Sequence, residues 1–304
     1  MKIHDLLILG AGPAGITAAV YSARRKMDIL VITENIGGQT ILSGDIENYP
    51  GYQFITGSEL TLKFEKHMKS FGIKENIPES VVEIKKEEDG LIKTITNKGQ
   101  YLSRTLIVAT GKRSRPLGAQ GEGEFKNRGV TYCATCDGPL FKGKNIAVIG
   151  GGNSGLEAVL QMLKISPKIY LVDIEPISRA NPVMVEKAQQ APNVEIWNNS
   201  VVRKIYGDEF VKGIEIEQDG KMHKLDAEGV FVEIGLEPNS DCASILERNE
   251  WGEIKVDCHN RTSVEAIFAA GDVTDVPEKQ IIVACGEGSK ACLSAFKYLS
   301  THKF

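Results

Sequence analysis

The fold turns on "DLLILGAGPAGITAAVYSARR", residues 5–25, an apolar run that passes through three glycines into a segment with Ala, Val and Tyr at helical spacing. This reads as a buried strand over 5–9, a glycine turn and a helix. Gly10 permits the tight turn, Gly12 lets backbone approach a pyrophosphate, and Gly15 lets helix and strand pack closely, with phosphate charge facing the helix N-terminus. Pro13 and Ala14 complete the turn. A second strand, "DILVIT" (28–33), leads to Glu34, 24 residues after Gly10, near where such a unit keeps an acid for a ribose. The pattern returns in "KNIAVIGGGNSGLEAVLQML" (144–163), with Gly150, Gly152 and Gly155 at the same spacing. There "KIYLVD" (168–173) ends at Asp173, 23 residues on from Gly150. A single GxGxxG is weak evidence. Two of them, each in a strand-turn-helix with an acid at the expected offset, predict two bound dinucleotides.

Composition narrows the classes. The chain has 304 residues, 42% hydrophobic and 25% charged, a formal charge of -4 and no low-complexity tract, which predicts a globular protein of two ordinary domains. The weak negative charge argues against a nucleic-acid binder. The first residues, "MKIHDLLILG", lack the basic region and cleavage site of a signal peptide. The apolar stretch over residues 6–21 is too short and too glycine-broken to span a membrane. These readings predict a cytoplasmic protein with no membrane and no nucleic-acid partner.

Six cysteines at 133, 136, 242, 258, 285 and 292 are too few for a disulfide scaffold. Two of them form "TYCATCDGP" (131–139). A zinc site needs a second close Cys or His pair, and none exists, so no metal is expected. A structural staple over so short a loop removes little unfolded-state entropy. A redox dithiol remains, in which one thiolate attacks through a mixed disulfide and the other resolves it. Asp137 next door reads either as a general acid for a leaving thiolate or as an indifferent surface charge. Cys285 and Cys292, seven apart on an expected helix, read as small apolar packing residues.

Two further stretches, "TLIVATG" (105–111) and "IFAAGDVTD" (267–275), read as buried strands, the latter followed by a helix over "EKQIIVACGEGSKACLSAF". Together with the first glycine turn they resemble the FAD-binding half of two-dinucleotide flavoprotein disulfide reductases. The C-terminal segment then folds back onto the N-terminal one, making the second unit an insertion. The fold class expected is α/β, with two Rossmann-like three-layer dinucleotide-binding domains, the second inserted into the first. A discontinuous FAD-binding domain is expected over 1–114 and 245–304. A pyridine-nucleotide-type domain with the CxxC is expected over 115–244, joined through "GKRSRPLG" and "GLEPNSD". Residues 80–108 alternate with turn signals at Asp89-Gly90 and Lys98-Gly99, predicting a small antiparallel layer.

The run "GVTYCATCDGPLFKGKNIAVIGGGNSG" (129–155), with "GAGPAG", "GGQ" (37–39), "ENYPG" (47–51), "ATG" and "FAAGD", resembles the low-molecular-weight thioredoxin reductases nearly end to end. The resemblance implies that Cys136 contacts the flavin, Cys133 attacks the partner's disulfide and Asp137 serves as acid-base group. It also implies a homodimer and a large rotation of the inserted domain. FAD contacts implied include Gly10, Gly12, Pro13, Ala14, Gly15, Thr33 and Glu34, then Gly38, Gln39, Asn48 and Val82. They continue with Ala109, Thr110, Gly111, Gly271, Asp272, Lys279, Gln280 and Ile281. On the second turn Gly150, Gly152, Asn153, Ser154 and Asp173 would hold NAD. "SVEAIFAAGD" and "KQIIVACGEGSKACLSAFKYL" look closest to the reductase portion of alkyl hydroperoxide reductase flavoprotein. That flavoprotein carries an extra N-terminal thioredoxin-like region, whereas this sequence starts at the FAD turn. The expected acceptor is therefore an external thioredoxin or glutaredoxin-like protein, with the reductase of a peroxiredoxin system as an alternative.

The donor is read from "VDIEPISRA" (172–180), which lacks the basic cluster of NADPH-specific members. Asp173 and Glu175 would repel a 2′-phosphate, so NADH is expected over NADPH, with Arg179 the nearby cation that would rescue NADPH. A ferredoxin-dependent enzyme using no pyridine nucleotide is the alternative. A non-turnover flavin redox sensor is the reading from a different class. Seven basic residues against three acidic ones between 111 and 144 form a candidate surface for steering an acidic partner, with an ordinary solvated loop as the plainer reading.

Overall fold

The computed structural model describes residues 2–43 and 45–302, except for the side chains of Leu42, Asp45, Thr135 and Cys136. Packing divides the chain into two compact units, Met1–Arg113 with Glu237–Phe304, and Ser114–Leu236. The second unit is thus inserted into the first. The return crossing falls at 236/237, inside the expected "GLEPNSD" joint, whereas the expected bounds ran the second domain on to 244. The reason is that Cys242, Ala243 and Leu246 are buried in the first unit's core. Arg113 also binds Glu237 and Asp241 at 2.9 Å and Asn239 at 3.0 Å, tying the returning segment to the outgoing one.

In the first unit, β1 (Ile3–Ala11), β2 (Ile29–Ile36), β5 (Lys74–Asn76), β8 (Gln100–Val108) and β19 (Ile267–Ala269) pair in parallel. The antiparallel β6 (Val81–Lys86) and β7 (Ile92–Thr96) extend the sheet from the first half of β8. A small β3 (Asp45–Ile46) and β4 (Ile55–Thr56) pair apart from it. The uninterrupted apolar run of β1 has a physical reason, because both faces of a parallel sheet are covered. Leu6 and Ile8 belong to the core formed with helices α1 (Pro13–Arg24) and α6 (Ile281–Thr301), whereas Leu7 and Leu9 belong to the core on the opposite face, with Ile84 and Ile92. Helices α1 and α6 cross so closely that a Cβ on Gly288 would lie 2.1 Å from the Ala14 carbonyl oxygen. Helix α2 (Gly57–Ser70) starts from a capping box between Thr56 and Glu59.

In the second unit, β10 (Val130–Thr131), β17 (Gly229–Val232), β11 (Ile146–Ile149), β12 (Ile169–Val172) and β13 (Val194–Trp197) form a parallel sheet in that order. One face packs α4 (Asn153–Met162) and α5 (Pro182–Gln190), with Phe231, Leu156 and Val159 in the core. The other face meets the antiparallel β14 (Ser200–Gly207), β15 (Val211–Gln218) and β16 (Lys221–Asp226). At the crossings, β9 (Lys112–Ser114) pairs with β18 (Leu236–Pro238). Among the described residues no helix is long and apolar enough to cross a membrane.

Candidate functional site

The two glycine turns are built alike. Gly10 and Gly150 have φ of +99° and +116°, and a Cβ on either would lie within 2.4 Å of a carbonyl oxygen, of Ala109 and Glu233 respectively. A Cβ on Gly15 or Gly155 would sit 1.9 or 1.8 Å from the carbonyl oxygen of the first glycine. The chain itself forbids side chains at these four positions. The middle glycines differ. Gly12 and Gly152 have extended backbone at φ −78° and −81°. A Cβ on Gly12 would meet nothing nearer than the Gly37 oxygen at 4.0 Å, and one on Gly152 nothing within 4 Å. Neither conformation nor internal packing calls for glycine there. Each N-caps its helix without a side-chain hydrogen bond, leaving the first-turn N–H groups facing that space. Such a cradle fits the pyrophosphate of a dinucleotide, and a side chain would fill it.

Around the first cradle, Pro13 opens α1, and a Cβ on Gly271 would come 3.0 Å from that of Ala14. A Cβ on Gly38 would lie 3.5 Å from the Gly12 Cα. Glu34 at the exposed end of β2 accepts from the Ser80 hydroxyl at 2.7 Å, and Val82, in the bulge of β6, stands exposed nearby in sequence. The Gln39 amide donates to the Lys112 carbonyl at 3.2 Å, and Asn48 donates to Gln280, the N-cap of α6 directly before Ile281, at 3.1 Å. Thr33 and Thr110 spend their hydroxyl protons inside the chain, on the carbonyls of Asn35 and Asn239. Ala109 donates to the Leu9 carbonyl, and the Gly111 carbonyl accepts from Asn239. Burial pushes the Asp272 carboxyl up, against the opposing charges of Lys279 and Lys112. Those lysines both bind Glu253, at 3.0 and 2.9 Å. Burial alone would raise Glu253, but the bonds from Lys112, Asn249 and Lys279 outweigh it and hold this carboxyl down to about 2.

In the second unit, Asp173 is buried at the end of β12 with its carboxylate over the turn, where a Cβ on Gly151 would collide with it. Asn153 accepts from the Asn181 N–H at 2.8 Å, and Ser154 is exposed. Arg179 pairs with Glu175 at 2.8 Å. The cation that could meet a 2′-phosphate is therefore already engaged by an acid.

The dithiol segment runs from β10 into the short helix α3 (Ala134–Asp137). Cys133 is half-buried and disulfide-bonded. The side chain of Cys136 lies outside the described residues. The Cys133 N–H donates to the Thr131 hydroxyl oxygen at 3.2 Å, and that hydroxyl donates to the Asp137 carboxylate. Thr131 thus joins the thiol's backbone to the acid. Glu122, which the sequence reading counted only as a charge, accepts at 2.7 Å from each of the Tyr132 hydroxyl and the Leu117 and Gly118 N–H groups, fixing the loop from behind. The cysteines at 242, 258, 285 and 292 are free. Burial pushes Cys242 up to about 11 and raises Cys285 and Cys292, so these three are poor nucleophiles. Among the described residues no His, Cys, Asp and Glu cluster could hold a metal ion. The basic stretch is not one patch, since Lys112 and Arg113 are neutralised by Glu253, Glu237 and Asp241 within the first unit.

The sequence reading missed Glu122, Glu233 and Glu253. Glu233 left a signal in "GVFVEIG" (229–235), where an acid breaks an apolar run. Glu253 left none, because its lysine partners lie 26 and 141 residues away.

The family described as pyridine nucleotide-disulphide oxidoreductase matches residues 4–288. The chain is 40% identical over 299 residues to an NADH dehydrogenase of Ferdinandcohnia aciditolerans. It is 41% identical over 309 residues to the F subunit of alkyl hydroperoxide reductase of Escherichia coli. Both alignments cover 97% of this chain but 57% and 58% of the relative, so the chain spans under three fifths of the length of these relatives. Among solved structures, thioredoxin reductase of Lactococcus lactis, in its FR conformation, superposes with a TM-score of 0.85 at 34% identity, covering 98% of this chain and 100% of that one. Thioredoxin reductase of T. acidophilum gives 0.83 at 34% identity, covering 99% and 100%.

Proposed function

The chain belongs to the pyridine nucleotide-disulphide oxidoreductase family, and from that premise we propose that it is an FAD-dependent disulfide reductase whose Cys133–Cys136 dithiol delivers electrons to a thioredoxin-type protein. When bound, FAD supplies a carrier that accepts electrons from a hydride donor and passes them to a disulfide. The first unit would hold it, with the Gly12 cradle at the pyrophosphate, Glu34 at the ribose and Asp272 at a ribityl hydroxyl. The half-buried Lys112–Glu253–Lys279 network keeps Lys279 and the backbone after Gly111 in place beside Asp272.

The second unit would hold NADH at Gly152, with Asp173 accepting from the ribose hydroxyls. What favours NADH over NADPH is the Arg179–Glu175 pair, which leaves a 2′-phosphate facing acids alone. The dithiol then performs the exchange. Cys136 would be the sulfur that takes electrons from the flavin and Cys133 the one that attacks the partner's disulfide, forming a mixed disulfide that Cys136 resolves. Asp137 holds the proton for the departing thiolate, with the Thr131 hydroxyl keeping it beside the Cys133 backbone. Serving first one site and then the other, the dithiol needs the second unit to turn about the β9 and β18 crossings, and the working molecule is a homodimer.

The observation that carries this reading is a disulfide-bonded Cys133 in the same unit as an open glycine cradle. Its test is anaerobic titration of the purified protein with NADH, NADPH and reduced ferredoxin, followed by turnover against a set of thioredoxins. Bleaching by NADH and thioredoxin turnover lost in Cys133→Ser are expected. Bleaching by ferredoxin and not by NADH would overturn the donor assignment.

A further inference from the structure

Glu233 is an acid in an unusual place. It follows the wholly buried strand β17, and its N–H donates to the Ile149 carbonyl at 2.8 Å. Its own carbonyl oxygen lies 2.4 Å from where a Cβ on Gly150 would stand, so its backbone forms one wall of the second glycine turn. Its side chain reaches the dithiol segment, accepting a long hydrogen bond of 3.4 Å from the N–H of Ala134, the first residue of α3. Ala134 is itself buried. One residue therefore touches both the nucleotide turn and the helix that carries the dithiol, within a single unit. Burial pushes its carboxyl up to about 7, partly offset by the Ala134 N–H and reinforced by the charge of Glu157 on α4. No ion pair satisfies Glu233 among the described residues. The other ionisable groups of the dithiol segment are the two cysteines, Cys133 and Cys136, Tyr132, whose hydroxyl is held by Glu122, and Asp137, held by the Thr131 hydroxyl.

We infer that Glu233 is a positioning residue of the dithiol whose ionised carboxylate disfavours the Cys133 thiolate after reduction and so makes the dithiol a stronger reductant. This rests on the reading of Cys133 and Cys136 as the exchanging pair. Covalent geometry keeps a sulfur on Cys133 within about 5 Å of the Ala134 nitrogen, hence within about 8 Å of the carboxylate. A negative charge at that range opposes a second one, and the opposition is reciprocal. Reduction cleaves the S–S bond with two electrons from a reduced flavin or an added dithiol. It takes up two protons if both sulfurs end as thiols and one if a sulfur stays as thiolate. With Glu233 ionised the two-proton outcome gains, and the oxidised form with its single neighbouring charge is favoured relative to the thiolate form. With Glu233 protonated that bias disappears. Because the carboxyl is raised, the bias is present above about pH 7 and fades below it.

The test is the rate at which iodoacetamide alkylates Cys133 in the dithiothreitol-reduced holoprotein, read by peptide mass spectrometry from pH 5.5 to 9. Glu233→Gln keeps an acceptor for the Ala134 N–H and removes the charge. Because the thiolate is the reacting form and nucleophilicity falls partly in step with thiol acidity, a tenfold gain in acidity gives about a threefold gain in rate. The expected result is Glu233→Gln about threefold faster than wild type at pH 8, equal to it at pH 6, with the wild-type inflection near neutrality gone. Glu233→Ala should show the same rise. Superimposable profiles for wild type and Glu233→Gln overturn the inference, as does a change confined to Glu233→Ala, which would make the contact purely structural. An altered alkylation profile in a protein that reduces no disulfide substrate would leave the coupling standing and remove the proposed function. Turnover with an unaltered profile would do the reverse.

Discussion

Replacing Gly12 and Gly15 by alanine, one at a time, separates what the first glycine turn does for the chain from what it does for a ligand. In Gly15→Ala the new Cβ would lie 1.9 Å from the Gly10 carbonyl oxygen and 2.9 Å from its carbon. Relief to van der Waals distance needs more than an ångström of movement between β1 and α1, whose Ile16, Ala18, Ala19 and Val20 are buried. Overpacking of that kind costs about 1–3 kcal/mol or more. In Gly12→Ala the nearest atom is 4.0 Å away and φ is −78°. Alanine is a poorer N-cap than glycine by about 0.5–1 kcal/mol, and the restricted unfolded chain returns about 0.4–1 kcal/mol. The two nearly cancel, so apoprotein stability should stay within about 1 kcal/mol of wild type. A methyl group in the cradle would instead displace the pyrophosphate from one or two N–H donors, each charge-assisted bond worth about 1.5–3 kcal/mol. FAD affinity should fall by about one to four orders of magnitude. Denaturant unfolding of the apoprotein and flavin fluorescence titration read the two quantities independently. Wild-type FAD affinity in Gly12→Ala, or destabilisation as large as that of Gly15→Ala, would refute the reasoning.

Other outcomes follow from the same geometry. The depressed carboxyl of Glu253 contributes stability that is present above its ordinary value of 4.5 and is lost as pH falls toward about 2, worth about 3 kcal/mol. Thermal melts of Glu253→Gln against wild type should therefore differ most above pH 4.5 and converge only below about pH 2. Glu175→Arg replaces an acid by a cation and releases Arg179, and the ratio of NADPH to NADH in kcat/KM should rise by about tenfold or more. Asp137→Asn retains an acceptor for the Thr131 hydroxyl but no proton, so turnover with thioredoxin should drop by about a hundredfold with melting temperature unchanged.

Much of this was legible in the chain because it is written locally. Each strand-turn-helix with glycines at fixed spacing is a consecutive stretch, and the expected helix over 278–296 corresponds to α6 (Ile281–Thr301). The antiparallel layer was legible from Asp89-Gly90 and Lys98-Gly99, which lie between β6, β7 and β8. What sequence could not supply were contacts between distant residues. The return crossing lies inside "GLEPNSD" (235–241), as its glycine and proline suggested, but the bound at 244 was set too late, because Arg113, 124 residues before Glu237, ties the rest of that stretch to the first unit. The basic stretch looked continuous only because its countercharges at 237, 241 and 253 are far along the chain. Glu233 needed both the burial around β17 and the N–H of Ala134, 99 residues earlier, to stand out.

The central claim is that electrons reach a disulfide partner through the flavin and then through Cys133–Cys136. Anaerobic dithionite titration of the holoprotein, following flavin absorbance and counting liberated thiols, tests it most directly. Wild type should consume one electron pair for the flavin and a second for the disulfide, releasing two thiols, whereas Cys133→Ser should consume the first pair alone. Full flavin bleaching by one pair in both proteins, with the wild-type disulfide intact, would contradict it.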